Sequence, residues 1–410
     1  MKILVISDLH VGTTARAKDF CTEDSGTSAL AEDYINDLKM LIEIENISAT
    51  HLLIAGDITN TGAHNEFEIA SQRIKDIIGL LDIHLDNVFF VPGNHDSNWS
   101  HEKEAIERNS SYDKIIYEKY TNIRNNDFFN DLLQRSKCSS YYEDPYFTVW
   151  ENEKLIVVGV NSSALDSCDK KLKFGEFDLK TLSILQEKMQ ELEMSGERRL
   201  KILLTHHHPK IYTDRTFPDV DLSQMKNAED FLHFAGEYGF DFIVHGHKHI
   251  PRFNFQFDSD GFSVNILSAG SFTAQLKDWH NGVANFLHLI EHHDFCPENN
   301  FSRGRVLSWS YFTNHKWKKS MLDRDDISHE EYYGHMVSKN KLKNDLRKII
   351  VECKVGVNYV RWHDLIKKDH KLQYCNRKLL SAAFEELSSE LEYELMPSKH
   401  DGFVLLWEGE

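Results

Sequence analysis

The chain is poor in the residues that punctuate or staple a fold. Only 7 of its 410 residues are proline, and no low-complexity tract is present, which excludes a linker-rich scaffold. Its six cysteines (Cys21, Cys138, Cys168, Cys296, Cys353 and Cys375) are scattered without a C-x-x-C pair, so neither a disulfide framework nor a zinc ribbon is encoded. No run approaches the ~18 apolar residues of a membrane span. Met1-Lys2 leads into Ile3-Leu4-Val5-Ile6 and then Asp8 and His10, too short an apolar stretch for a signal peptide and without a small-residue cleavage site. The expectation is a soluble chain in a reducing, cytoplasmic setting, with no membrane partner. Positive charge is also scarce: 47 Lys and Arg stand against 65 Asp and Glu, a formal charge of −18. That balance argues against non-specific coating of nucleic acid or anionic membrane. What is abundant is core material. Hydrophobic residues make up 41%, with 25 Phe, 15 Tyr and 7 Trp, which excludes dominant disorder and suits two or three domains of roughly 100–200 residues each.

The pattern along the chain alternates strand and helix. Residues 3–6, 51–55 and 88–91 are apolar runs of the kind buried in a parallel sheet. Helical spacing marks 28–46 and 65–81 between them, giving a β-α-β-α-β rhythm and an α/β domain. Residues 97–140 are polar and helical, a cap-like insertion. A hairpin at 146–150 and 155–160 is expected to return to the sheet. A helix at 176–193, a strand at 201–204, a helix at about 224–238 and a strand at 242–244 follow. Short strands near 253–257, 263–268 and 284–290 are expected to form a second, antiparallel layer. After about residue 320 the texture changes. Helices at 339–353, 360–369 and 376–391, then strands at 393–396 and 403–407 around Lys399-His400-Asp401-Gly402, have the order of a winged helix. The expected division is a catalytic domain over 1–320 and a winged-helix-like module over 335–410.

Five times an apolar strand ends in side chains that ligate metals: Asp8-x-His10, Gly56-Asp57, Gly93-Asn94-His95-Asp96, His206-His207-His208 and His245-Gly246-His247. In an open α/β sheet, ligands bind at the carboxyl ends of strands, and strand spacing under ~5 Å would gather these loops at one rim. One such cluster is an ordinary turn; five in succession are not. Imidazole and carboxylate together suit Mn²⁺, Fe, Zn²⁺ or Ni²⁺, and Asn adds a neutral oxygen.

D-x-H, G-D, G-N-H-D, a strand-end His and G-H-x-H, in this order over about residues 1–290, resemble the signature of the calcineurin-like metallophosphoesterases. Gly56-Asp57-Ile58-Thr59-Asn60-Thr61-Gly62 and the His-rich segment before Pro209 look most like the bacterial cyclic-nucleotide and glycerophosphodiester phosphodiesterase branch. The resemblance implies a two-sheet sandwich flanked by helices and two adjacent divalent ions, Mn²⁺ foremost. Asp8, His10, Asp57 and His247 would hold the first, and Asp57, Asn94, His206 and His245 the second. It implies hydrolysis of a phosphodiester by a metal-bridging hydroxide, with His95 protonating the leaving group and Asp96 orienting His95. His206, His207 and His208 are consecutive; counting back from Pro209 favours His206 as ligand and places His207 near the substrate. His249 is a candidate for a supporting position, and His64 and Arg215 for substrate contact, the latter within a segment 210–225 that also carries Tyr212 and Phe217.

The substrate class this suggests is a small diester or nucleotide. The alternative is a nuclease of the same superfamily using the C-terminal module, where residues 339–380 carry 12 Lys and Arg against 4 Asp and Glu and Arg377 and Lys378 open the third helix. A further alternative is a module that docks a protein partner or makes a homodimer. The rest of the chain holds 35 basic and 61 acidic residues, so a long polyanion would be confined to that module.

Overall fold

A computed structural model describes residues 1–13, 15–22, 32–136, 138–139, 146–169, 174–193, 198–211, 223–257, 263–275, 284–312, 316–398 and 402–407. The chain divides into two compact units. The first comprises Met1–Ile290 and Ser308–His329, the second Glu291–Leu307 and Glu330–Glu410.

The first unit opens with β1 (Lys2–Ile6), α1 (Tyr34–Glu45), β2 (His51–Ala55), α2 (His64–Leu81) and β3 (Val88–Val91). The insertion follows as four short helices, α3 (Trp99–Glu107), α4 (Tyr112–Lys119), α5 (Thr121–Asn125) and α6 (Asp127–Gln134). Next come β4 (Cys138–Ser139), β5 (Phe147–Glu151), β6 (Leu155–Val160), α7 (Leu179–Glu193), β7 (Leu200–Thr205), α8 (Ala228–Glu237) and β8 (Phe242–His245). The chain continues through β9 (Pro251–Phe257), β10 (Ser263–Ala269), β11 (Asn285–Phe295), β12 (Ser302–Phe312), β13 (Lys316–Lys319) and the single turn α9 (Leu322–Asp325).

Two mixed sheets result. One has the order β13-β12-β11-β1-β2-β3, the other β4-β5-β6-β7-β8-β10-β9. Strands β1, β2 and β3 are parallel and in register, with Val5 beside Leu53 and Leu53 beside Phe89. Strands β6, β7, β8 and β10 are likewise parallel. The interiors of these strands are largely apolar because both faces are covered; β2 is buried along its whole length. The sheets approach closely at Gly159 of β6, where a Cβ would lie 2.9 Å from Val91 Cγ1 of β3.

This arrangement corrects three expectations. The hairpin β5–β6 does not return to the first sheet but begins the second. The strands expected as a separate antiparallel layer are divided: β9 and β10 join β8, whereas β11 lies beside β1. The metal-ligand loops therefore come from two sheets, not from one rim. Helix α1 begins at Tyr34, capped by Asp33, whose side chain accepts from Asn36 N.

Within the second unit, β14 (Glu330–Tyr333) pairs antiparallel with the start of β12. It is followed by α10 (Lys339–Lys354), β15 (Tyr359–Arg361), α11 (Trp362–Lys368), α12 (Arg377–Leu391), β16 (Glu394–Ser398) and β17 (Gly402–Leu406). The three short strands form a sheet of order β15-β17-β16. Leu342, Leu346 and Ile350 of α10 pack with Leu365, Phe384, Leu387, Leu405 and Trp407 in a core of its own. Among the described residues, no helix is long and apolar enough to cross a membrane.

Candidate metal centre

Pairing of β1 with β2 runs on beyond the strands: Asp8 N donates to Gly56 O, His10 N to Asp57 O and Val11 N to Ile58 O. This extension sets Asp8 and His10 beside Asp57. From the second sheet, Gly246 N donates to His206 O, and His247 N donates to both Asp8 carboxylate oxygens at 3.2 and 3.1 Å. Gly246 is obligatory there, since a Cβ would meet Ser7 Oγ at 2.0 Å and Asp8 Oδ2 at 2.4 Å.

Among the described residues, three groups of side chains converge closely enough to hold a metal ion: Asp8, His10 and His249; His10, Asp57 and His95; and Asp57, His206 and His247. Asp57 stands at the centre. Its Oδ2 lies 3.4 Å from His10 Nε2 and 3.2 Å from His206 Nε2, while its Oδ1 accepts from His95 N at 2.8 Å. His249 Nδ1 is 3.7 Å from Asp8 Oδ1, and His247 Nδ1 is 3.2 Å from His206 Nε2. His206 Nδ1 lies 2.9 Å from Ala55 O; a carbonyl only accepts, so Nδ1 carries a proton and Nε2 faces Asp57.

The donor set fits divalent cations. Among the described residues neither Asp8 nor Asp57 pairs with Lys or Arg, and both are buried. His10 Nε2 and Asn94 Oδ1 are buried without a hydrogen-bond partner. Such groups are costly unless an ion or ligand satisfies them. Burial, with help from Asp57, raises the Asp8 carboxyl to about 7, against the lowering effect of His206. Burial alone would also raise Asp57, but His206, His95 and His10 together hold it well below the ordinary value. Burial disfavours the His206 imidazolium, yet Asp57 lifts it to about 9. Burial pushes His10 and His245 down to about 3. The buried carboxylates of Asp8 and Asp57 and the imidazoles around them thus form a site whose charge a divalent cation would balance.

The remaining sequence candidates fall as follows. His245 is buried in β8 with Nδ1 3.1 Å from Gly246 O and joins none of the three groups. His247 instead groups with Asp57 and His206, and His249 with Asp8 and His10. The phase of the motif holds the signal: Gly-His-x-His matches Gly246-His247-Lys248-His249. Asn94 opens a short turn, 94–96, after β3. His95 Nδ1 meets Asn60 O at 2.8 Å, a partner the sequence did not indicate. Asp96 does not bond the His95 ring. Its carboxylate accepts from Ile58 N, Thr59 N, Thr59 Oγ1 and Gly93 N, so it fixes the 58–62 loop that presents Asn60 O. Gly93 is needed at the same place, as a Cβ there would lie 2.1 Å from Asp57 Oδ1. His207 is buried, with Nδ1 2.9 Å from Ser162 Oγ. His64 opens α2 with its side chain exposed, 4.0 Å from Glu68. Arg215, Tyr212 and Phe217 lie outside the described residues. Arg377 and Lys378 are exposed at the start of α12.

Comparison with known proteins gives one family. The model for "Calcineurin-like phosphoesterase" matches residues 1–251. No curated protein matches the chain. Solved structures that match the chain include a conserved predicted phosphoesterase from Streptococcus pneumoniae TIGR4, at 11% identity and a TM-score of 0.31, covering 81% of this chain and 97% of that one. NAD nucleotidase from Haemophilus influenzae is 13% identical with a TM-score of 0.37, covering 80% of this chain and 61% of that one. Phosphopantetheinyl hydrolase from Mycobacterium tuberculosis is 14% identical with a TM-score of 0.30, covering 66% and 89%.

Proposed function

The chain belongs to the calcineurin-like phosphoesterase family, and we propose that it is a phosphodiesterase that cleaves a small diester or nucleotide with two divalent ions, Mn²⁺ foremost. The observation that carries this reading is the placement of one Asp57 oxygen between the imidazoles of two separate ligand groups, 3.4 Å from His10 and 3.2 Å from His206. Asp8, His10, His249 and Asp57 would hold one ion; Asp57, His206, His247 and Asn94 would hold the other. When bound, the ions supply Lewis acidity toward a phosphoryl oxygen and make water a competent nucleophile near neutral pH.

The protein's own groups do the rest. With Nδ1 committed to Asn60 O, His95 has Nε2 left to hold and deliver a proton to the leaving oxygen. Burial disfavours its charged form, but Asp57 and the Asn60 carbonyl raise its pKa overall. Asp96 positions it indirectly, through the loop. A small ester is favoured over a long polyanion because, outside 339–380, acidic residues outnumber basic ones 61 to 35. The loop Gly56–Gly62 and the triple histidine support the cyclic-nucleotide or glycerophosphodiester branch.

The C-terminal module reads as winged-helix-like from its order α10-β15-α11-α12-β16-β17. Its basic stretch is partly neutralised: Lys339 and Lys343 pair with Glu386, and Lys343 and Arg347 with Glu390. Cations already paired in this way are less available to phosphates, which favours a protein partner over nucleic acid.

The test is hydrolysis of bis-p-nitrophenyl phosphate with and without Mn²⁺. Removing mere supporting partners of metal ligands costs about 10–100-fold, so Asp57→Asn should lose about 100-fold or more. Full activity in that variant would refute the two-ion assignment.

A further inference from the structure

Next to the metal-ligand groups lies a histidine that no group includes. His207 is 1% exposed, its ring centroid is 4.2 Å from that of His247, and its Nε2 is buried without a hydrogen-bond partner. Its other face is tightly held. Gly175 packs against it so closely that a Cβ would fall 2.5 Å from His207 Cβ and Cγ and 2.7 Å from Nδ1.

Ser162 determines which nitrogen carries the proton. Its Oγ accepts from His207 N at 3.0 Å and lies 2.9 Å from His207 Nδ1. Ser162 is itself 1% exposed, and among the described residues its hydroxyl has no other partner. If Nδ1 carried a proton and donated it to Oγ, the hydroxyl hydrogen would be left buried and unpaired, which is costly. The satisfied arrangement has the hydroxyl donating to Nδ1 while it accepts the backbone N–H. An imidazole whose Nδ1 accepts is neutral only with its proton on Nε2, and a protonated Nε2 offers a metal no lone pair.

We infer that Ser162 is a positioning residue that locks His207 as the Nε2–H tautomer, so that His207 donates a hydrogen bond to an oxygen of the phosphoester at the metal centre and does not ligate a metal. This rests on the phosphodiesterase reading and sharpens it. Of three consecutive histidines on one strand end, His206 turns Nε2 to Asp57, where its lone pair would ligate a metal, and His207 turns an N–H. The two roles are set by different partners of Nδ1, the Ala55 carbonyl in one and the Ser162 hydroxyl in the other.

Two measurements on the full-length protein test this. Long-range ¹⁵N–¹H correlation of histidine-labelled, metal-free protein should show an Nε2–H signal that is lost in His207→Gln. In Ser162→Ala it should move toward a tautomer mixture, and in Ser162→Thr it should stay. Titration calorimetry should show His207→Gln and Ser162→Ala binding Mn²⁺ within about twofold of wild type but binding inorganic phosphate about tenfold more weakly once Mn²⁺-loaded, as for one lost hydrogen bond. Loss of a Mn²⁺ equivalent in His207→Gln would make it a ligand and overturn the inference, as would unchanged phosphate affinity in both variants. A wild-type Nδ1–H signal would overturn the Ser162 lock whatever the substrate. Absence of Mn²⁺ binding by wild type would instead sink the metal-centre reading and with it the donor role, while leaving the tautomer result standing by itself.

Discussion

Lys119, at the end of α4, is fully buried, an unusual fate for an ammonium group. Its Nζ donates to the carbonyls of Ser163, Ala164 and Asp166, so a helix of the insertion is fastened to the loop that follows β6. That loop carries Ser162. Replacing Lys119 by Met keeps the stem and removes every donor. Three buried carbonyls then lose their partner at about 1–3 kcal/mol each. Relief of the lysine's own desolvation and relaxation of the loop offset part of this, leaving an expected net loss of about 3 kcal/mol at pH 7. The pH dependence gives a second handle. Burial lowers the Lys119 pKa from 10.5 to about 8, so between those values the unfolded chain keeps a proton that the folded chain has released. Stability contributed by such a group rises with pH across that window. Met has no proton to exchange, so the difference between wild type and variant should widen by about 3 kcal/mol between pH 8 and 10.5. Urea unfolding at a series of pH values measures both quantities. A difference below about 0.5 kcal/mol at pH 7, or one that stays flat above pH 8, would refute the reasoning.

His249→Asn should bind one Mn²⁺ fewer than wild type by titration calorimetry, whereas His245→Asn should keep the wild-type stoichiometry; the reverse result would restore the assignment first read from the sequence. Gly93→Ala should destabilise the fold by about 1–3 kcal/mol through the clash with Asp57 and weaken Mn²⁺ binding. Gly79→Ala, in α2 with nothing within 4 Å of the added Cβ, should instead stabilise by about 0.5–1 kcal/mol in the same unfolding assay. Mn²⁺ at a hundred times its dissociation constant should raise stability by about 2.7 kcal/mol per site, and a chelator should abolish the rise. A melting temperature indifferent to both would argue against a resident metal.

The strands that carry the site were legible because each is an unbroken apolar run ending in polar residues, as in β1, β2, β3 and β8. Their division between two sheets was not, since pairing partners are set by long-range packing that no local pattern records. Strand β12 was invisible for a different reason. It alternates buried and half-buried positions through its first half, but the buried face is filled by Ser302, Gly304, Val306, Ser308 and Ser310. Small and hydroxylic residues there hide the period-two signal. At the metal centre the residue types, their order and the phase of Gly-His-x-His were readable, while the backbone partner of His95 was not. Asn60 contributes a carbonyl, and a carbonyl leaves no mark on side-chain identity.

Backbone conformation separates the site histidines in a way that composition does not. Asp8, His10, Asp57, His247 and His249 all have positive φ, at 51°, 47°, 49°, 71° and 55°. Several other non-glycine residues with positive φ merely end helices, including Asn46, Asp82 and Glu392. A non-glycine residue in this region costs on the order of 1 kcal/mol, so five in one place amount to about 5 kcal/mol, comparable with the lower end of a domain's whole net stability. The paired strand extensions and Gly246 hold these residues in place, but holding does not explain why five strained positions coincide. Turning side chains from two sheets inward onto Asp57 does. His245 remains in β8 and is not among these strained positions, whereas His247 and His249 are.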